Sequence, residues 1–277
     1  MTSTTSSTTK AAGLVLREDR DGIAFLTLNA AHSLNALSTP MLRALDGAFA
    51  ALAEDRSVRV VVLKGAGRVF SAGHDLKEMQ AARDGADNGA AHFEALFALC
   101  AGVMQRIPAL PQPVIAQVHG LAAAAGCQLA ASCDLVTAAE DARFGVNGVN
   151  IGLFCSTPMV ALSRKVPPAV AFEMLTTGDF ITAPRAREVG LVNRTAPPEA
   201  LEEVTVALAR TLAGKLTAAV KAGKSAFYDQ ISLPLADAYR HCGAVMVENM
   251  LWRDTAEGIQ AFLEKRKPDW NLSLIHI

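Results

Sequence analysis

The chain has 277 residues, of which 51% are apolar and 19% charged, and its formal net charge is −1. This near-neutral charge argues against a nucleic-acid-binding protein, because such proteins usually carry a strongly basic domain or stripe. No apolar run approaches the ~18 residues that a membrane span needs. The apolar surplus predicts a large core and, in addition, apolar surface that is buried between copies of the chain.

The two ends of the chain differ in character from the rest. The opening segment, MTSTTSSTTKAAG, has no apolar run and one basic residue, which predicts a disordered tail over residues 1–12 and neither a signal peptide nor an Arg-rich transit peptide. The final segment, 272–277, is an apolar run after a charged end, and we interpret it as non-native. The five cysteines show no CxxC spacing, which indicates reduced thiols. Together these features predict a cytoplasmic protein.

Strand and helix patterns alternate through the first two thirds of the chain. Apolar, β-branched runs predict strands over residues 22–30, 58–66, 113–120 and 134–140. The segment 39–55 predicts a helix, with Thr39 as N-cap and Pro40 in the first turn. Because strands alternate with helices to about residue 195, we expect parallel βαβ units.

Strand patterns stop near residue 197, and only helical patterns follow. They predict helices over residues 198–214, 216–231 and 236–252. The sequence thus predicts an α/β core over residues 13–197 and a helical region over residues 198–271.

Two glycine- and alanine-rich turns are the strongest candidates for a functional site. They lie in FSAGHDLKEM (70–79) and HGLAAAAGCQLAASC (119–133), each ahead of a helix. Small residues let the backbone approach a ligand, and the N–H groups at a helix start have no intrahelical partner. Two such N–H groups that converge form an oxyanion hole. The alternative is that both segments are tight, alanine-packed turns.

These two segments resemble motifs of the enoyl-CoA hydratase/isomerase (crotonase) superfamily. FGVNGVNIGLF, TTGDFITAPRAREVGLVNR and EGIQAFLEKRKPDW follow them in the family's order, so the resemblance spans about residues 14 to 270. It implies an α/β fold, with a crotonase-type ββα spiral core and C-terminal helices that build trimers, often paired into hexamers. It also implies an acyl-CoA or enoyl-CoA thioester as substrate, with coenzyme A present only as part of that thioester and no permanently bound cofactor.

The resemblance assigns roles to particular residues. It implies that the thioester carbonyl lies between the backbone N–H groups of His74 and Ala125. The residues that it places along the coenzyme A moiety are His32, Ser33, Leu34, Ala72, Asp75, Leu76 and Lys77, with Phe262 and Lys265 reaching the nucleotide from a neighbouring subunit. For the two lysines, a solvated surface position is the alternative. The histidines and cysteines show no metal-ligand spacing, and we expect no metal, nucleic acid or membrane as partner.

The chain departs from the family where its hydratases carry two glutamates. Gln128 and Gly148 occupy those places, and neither side chain titrates near neutral pH. Because each positioned acid or base contributes typically ~10²–10⁴ in rate, we expect hydratase activity to be low or absent. We also expect that glutamates introduced at both positions raise it.

Three functions therefore remain open. They are hydratase-type catalysis, another enolate-stabilising reaction such as isomerisation, decarboxylation or thioester hydrolysis, and acyl-CoA binding without catalysis. Asn147, Asn150, Cys155 and Ser156 follow in the loop, and of these only Cys155 has nucleophile or base chemistry, with packing as its alternative. We interpret Asp134 as structural.

Overall fold

The computed structural model describes residues 13–270, so the predicted tails at 1–12 and 272–277 lie outside the described residues. The strands are β1 (Val15–Arg20), β2 (Ile23–Leu28), β3 (Val60–Gly65), β4 (Val114–Val118), β5 (Leu121–Ala123), β6 (Leu135–Ala139), β7 (Arg143–Gly145), β8 (Ile181–Thr182) and β9 (Arg194–Ala196). The helices are α1 (Thr39–Glu54), α2 (Leu76–Ala82), α3 (Ala90–Ala109), α4 (Ala125–Ser132), α5 (Pro158–Leu162), α6 (Pro168–Thr177), α7 (Ala183–Glu188), α8 (Leu201–Ala213), α9 (Thr217–Gln230), α10 (Leu235–Met250) and α11 (Arg253–Leu263).

These strands form one large sheet and one small sheet. The large sheet has the order β1-β2-β3-β4-β6-β9, and the small sheet has the order β5-β7-β8. In the large sheet only β1 and β2 pair antiparallel, whereas the other neighbours are parallel. The predicted parallel βαβ order is therefore confirmed for the large-sheet strands β2, β3, β4, β6 and β9.

Both faces of the large sheet are covered around β2, β3 and β4, which explains why these three strands are mainly apolar and buried. Helices α1 and α3 pack together in the larger core, and α1 buries Met41, Leu45 and Phe49 at helical spacing. On the other face, Leu208 and Ala209 of α8 pack with residues of β2, β3 and β4. The result is a mixed α/β fold with a helical C-terminal region, as predicted.

Some local features differ from the predictions. The N-cap of α1 is Ser38, whose hydroxyl accepts the Met41 N–H at 3.4 Å, so the prediction of Thr39 was wrong by one residue. Strand β1 was missed because VLREDR is charged, as an edge strand with an exposed face can be. Strands β5 and β7 have three residues each, too few to show an alternating pattern.

The helical region after residue 197 has two different environments. Helix α8 follows that position in the chain and yet covers the large sheet. Helix α10, in contrast, has no buried residue. The boundary between a core at 13–197 and an oligomerisation region at 198–271 stays a prediction.

Candidate active site

Three backbone segments run parallel and end side by side. Ser71 forms a parallel bridge with Ala122, and β5 continues this arrangement by pairing parallel with β7, where Ala122 lies opposite Phe144. His74 and Ala125 follow Ser71 and Ala122 by the same number of residues. Because parallel segments end at the same edge, this register places both predicted amide donors at one end of the small sheet.

The turns that carry these two amides are in direct contact. Gly73 has a φ of +94°, and a Cβ added to it would lie 3.3 Å from Ala125 N. A Cβ on Gly126 would lie 2.4 Å from Ser71 O, so only glycine fits at the start of α4. The alternation of glycine and alanine in the sequence therefore reflects a close approach of two backbone segments, with His74 N–H and Ala125 N–H beside the contact.

Neither of these amides has a hydrogen-bond acceptor within residues 13–270. Ala125 is the first residue of α4, where an N–H has no intrahelical partner, and it is fully buried. The preceding residue, Ala124, has φ 47° and ψ −117°, a conformation that alanine rarely adopts. Strain of this kind costs about 1–3 kcal/mol and is found mostly at functional sites. The pair of unpaired donors is suited to an anionic oxygen.

The predicted coenzyme A contacts lie around α2 and the preceding turns. Ala72 N–H donates to Leu34 O at 3.0 Å, which joins two of these residues directly. Asp75 caps α2, because its Oδ1 accepts the Lys77 N–H at 2.9 Å. Leu76 and Lys77 are exposed and line a surface cleft of about 570 Å³.

The other predicted contacts are spread more widely. His32 and Ser33 lie in a 3₁₀ turn (Ala31–Ser33) ahead of Leu34, and His32 is exposed. Phe262 is 81% exposed near the end of α11, and Lys265 follows that helix. Their contact with a nucleotide on a neighbouring subunit stays a prediction.

Comparison with known proteins identifies the family. The family model for enoyl-CoA hydratase/isomerase matches residues 18–272. The chain belongs to the enoyl-CoA hydratase/isomerase family. It is 44% identical to enoyl-CoA hydratase domain-containing protein 3, mitochondrial, of Xenopus laevis, over 94% of this chain and 87% of that protein. The human protein of the same name is also 44% identical, over 91% of this chain and 81% of its own length.

A solved structure supports the same assignment. An enoyl-CoA hydratase from Mycobacterium smegmatis superimposes with a TM-score of 0.90 at 51% identity, covering 94% of this chain and 99% of that one. The predicted crotonase fold is thereby confirmed.

The expectation of a cytoplasmic location is wrong. The Xenopus and human relatives are both named mitochondrial. Free cysteines distinguish oxidising from reducing surroundings, and they do not separate one reducing compartment from another. Of the described helices, none is long and apolar enough to cross a membrane. No group of three or more His, Cys, Asp and Glu residues between 13 and 270 is arranged to hold a metal ion.

In this enoyl-CoA hydratase/isomerase chain, Gln128 lies one turn after Ala125, on the same helix. The Gln128 side chain is buried, and its Oε1 has no hydrogen-bond partner within the described residues. Most buried polar groups in native proteins have a hydrogen-bond partner, and a buried amide oxygen without one lowers the stability of the fold. Gln128 is therefore a buried polar group with an unsatisfied oxygen, on the same helix as Ala125.

Gly148 is enclosed by its own loop. A Cβ on Gly148 would lie 2.3 Å from Leu153 O and 2.8 Å from Cys155 Sγ. Any side chain there requires the backbone at Leu153 to move. A glutamate at Gly148 would meet this clash, whereas one at Gln128 would not. The expectation that glutamates at both positions raise hydratase activity stays a prediction.

Cys155 packs against this loop. Its Sγ accepts the Gly148 N–H at 3.3 Å, and burial raises the pKa of its thiol. Because the thiolate is the nucleophile, a raised pKa opposes a nucleophilic role and favours packing. Burial also raises the pKa of Cys127 and of Cys133 to about 12, consistent with inert core thiols.

One residue that supports the site was missed in the sequence. Asn35 is fully buried, with its Oδ1 accepting the Ala30 N–H at 3.0 Å and its Nδ2 donating to Ala66 O and Val69 O at 2.8 and 2.9 Å. The Ser71 hydroxyl donates to the Asn35 carbonyl at 2.9 Å. Asn35 has a φ of +53°, a backbone conformation that asparagine tolerates better than most residues. The asparagine itself was therefore the one signal available in the sequence.

Proposed function

We propose that this chain binds an acyl-CoA thioester and polarises its carbonyl between the backbone N–H groups of His74 and Ala125. The observation that carries the proposal is that these two amides lie on turns in contact and have no acceptor within residues 13–270. Fixed donors aimed at a developing oxyanion are often the largest contribution to this kind of catalysis.

The coenzyme A part of the ligand would lie along α2 and the turns beside it. Exposed Lys77 suits the phosphates, because a lysine ammonium pairs with phosphate oxygens. Leu34, Ala72 and Leu76 offer apolar surface and backbone to the pantetheine arm. Coenzyme A enters only as part of the thioester, and the proposal includes no permanently bound cofactor.

The proposed hydratase rate is low or absent. Hydration needs a base for water and an acid for the α-carbon, each worth typically ~10²–10⁴. Gln128 has no titratable group, and Gly148 has no side chain. The site thus has means to stabilise an enolate and lacks the two glutamates that would move protons.

Decarboxylation is the second candidate because it starts without proton abstraction. In a 2-carboxyacyl thioester, the bond between the carboxylate and the α-carbon breaks and carbon dioxide leaves. Its electron pair forms the enolate, whose oxygen is held by the His74 and Ala125 N–H groups, and water then supplies a proton to the α-carbon. Gln128, one turn after Ala125 on α4, has no titratable side chain, which favours this reaction over isomerisation, because isomerisation needs a base. Binding without catalysis is the remaining alternative.

Four measurements separate these functions. We expect saturable calorimetric binding of butanoyl-CoA, and crotonyl-CoA should keep its conjugated absorbance as in a protein-free blank. With malonyl-CoA, formation of acetyl-CoA in mass spectrometry would support decarboxylation. Release of free thiol from butanoyl-CoA would support hydrolysis instead. Absence of any thioester binding would contradict the proposal as a whole.

We also propose that the chain self-associates as a trimer or as a dimer of trimers. The support is an apolar stripe on α10, formed by Leu235, Tyr239, Met246 and Met250, whose exposed fractions range from 53% to 75%. Their spacing places them on one face of the helix. Exposed apolar surface of this extent favours a protein partner.

A further inference from the structure

The peptide group between Gly73 and His74 is held from its carbonyl side. The Leu37 N–H donates to Gly73 O at 2.7 Å. All described peptide bonds are trans, and in a trans peptide the C=O and N–H point in opposite directions. The bond to Leu37 therefore turns the His74 N–H away from the Leu37 segment and leaves it unpaired.

The His74 side chain returns to the same residue. Its Nδ1 lies 3.0 Å from Leu37 O. A carbonyl oxygen only accepts, so Nδ1 carries the hydrogen and donates it. Leu37 thus donates its N–H to the Gly73 carbonyl and accepts the His74 Nδ1–H with its own carbonyl oxygen. These two hydrogen bonds close a ring that includes the Gly73–His74 peptide group.

The surroundings of the imidazole restrict it further. The ring packs edge-on against Phe97, with centroids 5.6 Å apart and an interplanar angle of 67°. Burial lowers the pKa of His74 below its ordinary value of 6.5, which keeps the ring neutral. The neutral ring with hydrogen on Nδ1 leaves a lone pair on Nε2, which is buried and has no partner within residues 13–270.

We infer that the His74 imidazole is a positioning residue, which orients the His74 backbone N–H toward the thioester oxygen through its hydrogen bond to Leu37 O. The inference rests on the proposed oxyanion hole and adds a side-chain role to it. An oxyanion donor acts through its fixed direction, since small misplacements of reacting groups are costly in rate. Without the imidazole, the amide remains present and one of the two bonds that fix its plane is lost.

The test compares two substitutions with the wild-type protein. His74→Asn keeps an N–H donor near the position of Nδ1, whereas His74→Leu removes the donor and keeps apolar bulk. The probes are butanoyl-CoA with ¹³C at the thioester carbonyl and coenzyme A itself. The measurements are the infrared carbonyl stretch of the bound thioester and the calorimetric affinity of each probe. His241→Leu, at a half-buried position of α10, serves as the control for loss of a histidine.

In the wild-type protein, binding should lower the carbonyl stretching frequency. In His74→Leu this frequency shift should be smaller, and butanoyl-CoA should bind about tenfold more weakly. This loss is smaller than the ~10²–10³ in rate that removal of a whole oxyanion donor costs, because the His74 amide is still present. Coenzyme A affinity should not change, because coenzyme A has no thioester carbonyl. His74→Asn should recover most of the shift, and His241→Leu should match the wild-type protein.

Failure of this inference and failure of the proposed function give different results. If butanoyl-CoA binds to the wild-type protein and its carbonyl frequency does not move, the oxyanion hole itself is absent. If the wild-type protein shifts the frequency and His74→Leu does so equally, the hole stands and the positioning role is overturned. Should the variants fail to fold, ¹⁵N NMR of the wild-type imidazole still decides. If the His74 imidazole carries its hydrogen on Nδ1 and none on Nε2, the positioning role is supported. If it carries hydrogen on Nε2 at neutral pH, the positioning role is overturned.

Discussion

Lys224 Nζ lies 2.7 Å from Asp134 Oδ2, so a buried ion pair attaches α9 to the start of β6. Lys224 Nζ also donates to Ile107 O and Gln112 O, both at 2.8 Å. The Tyr228 hydroxyl donates to Asp134 Oδ1 at 2.7 Å. Every hydrogen of the ammonium is used, and both carboxylate oxygens are bound. Asp134 therefore has the structural role that the sequence indicated, and α9 is held to the core by these polar contacts.

Lys224→Met should lower the free energy of unfolding by about 3–5 kcal/mol, because Asp134 is then left buried without its counter-charge. Urea unfolding followed by circular dichroism measures the change. Lys221→Met, on the exposed side of the same helix, is the matched control and should be within about 0.5 kcal/mol of the wild-type protein. Equal stabilities of the two variants would contradict the ion-pair interpretation.

Stability should depend on pH through His74. Burial lowers the pKa of His74 in the folded chain below 6.5, so below that pH the unfolded chain binds more protons than the folded one. The free energy of unfolding should therefore fall as the pH decreases from about 6.5 toward the folded pKa. Denaturant titrations at several pH values measure this slope. His74→Asn should flatten this slope, and an unchanged slope in His74→Asn would exclude His74 as the source.

Gly148→Ala should destabilise the chain by about 1–3 kcal/mol, because its Cβ would meet Leu153 O and Cys155 Sγ. Gly47→Ala is a control for which we expect the opposite change in stability. Gly47 lies in α1 with nothing within 4 Å of an added Cβ, so alanine should stabilise by about 0.5–1 kcal/mol. Thermal unfolding compares the two. A Gly148→Ala protein as stable as the wild-type protein would show that the loop adapts easily.

Gln128→Glu alone should raise crotonyl-CoA hydration, by ~10² over the wild-type protein if the carboxyl is well placed. A buried carboxyl without a partner has a raised pKa, which brings it toward the neutral range where a general acid or base works. Loss of the conjugated enoyl-thioester absorbance measures the rate. Gln128→Leu, which cannot titrate, should show no gain. A flat rate in Gln128→Glu with butanoyl-CoA binding intact would mean that Gln128 does not occupy the place of a family glutamate.

Charges placed on the α10 stripe should reduce the assembly size. Tyr239→Glu combined with Met246→Glu puts two carboxylates on the exposed apolar face, and sedimentation velocity should then show monomers in place of trimers or hexamers. Glu248→Lys, an exposed polar change on the same helix, should leave the sedimentation coefficient unchanged. A wild-type protein that sediments as a monomer would contradict the self-association proposal.

The sequence by itself determined the alternation of the main apolar strands with helices and the helical C-terminal region, because apolar periodicity is a local property. The predicted strands at 22–30, 58–66, 113–120 and 134–140 coincide with β2, β3, β4 and β6. The ordered motifs around His74 and Ala125 were also sufficient to indicate the family. The sequence did not predict β5, because three residues are too few to show a periodic pattern. It did not predict β1, because that strand is charged and lies at the edge of the sheet.

Only the tertiary structure decided how distant segments meet. The contact of Gly73 with Ala125, the bonds of Leu37 to Gly73 and His74, and the enclosure of Gly148 by Leu153 and Cys155 all depend on how backbones pack. A leucine contributes to the candidate site through its peptide N–H and C=O, which every residue except proline possesses, so no letter of the sequence marks it. Side-chain patterns report which face of an element is buried, whereas the direction of a single peptide group is set by its partners in the folded chain.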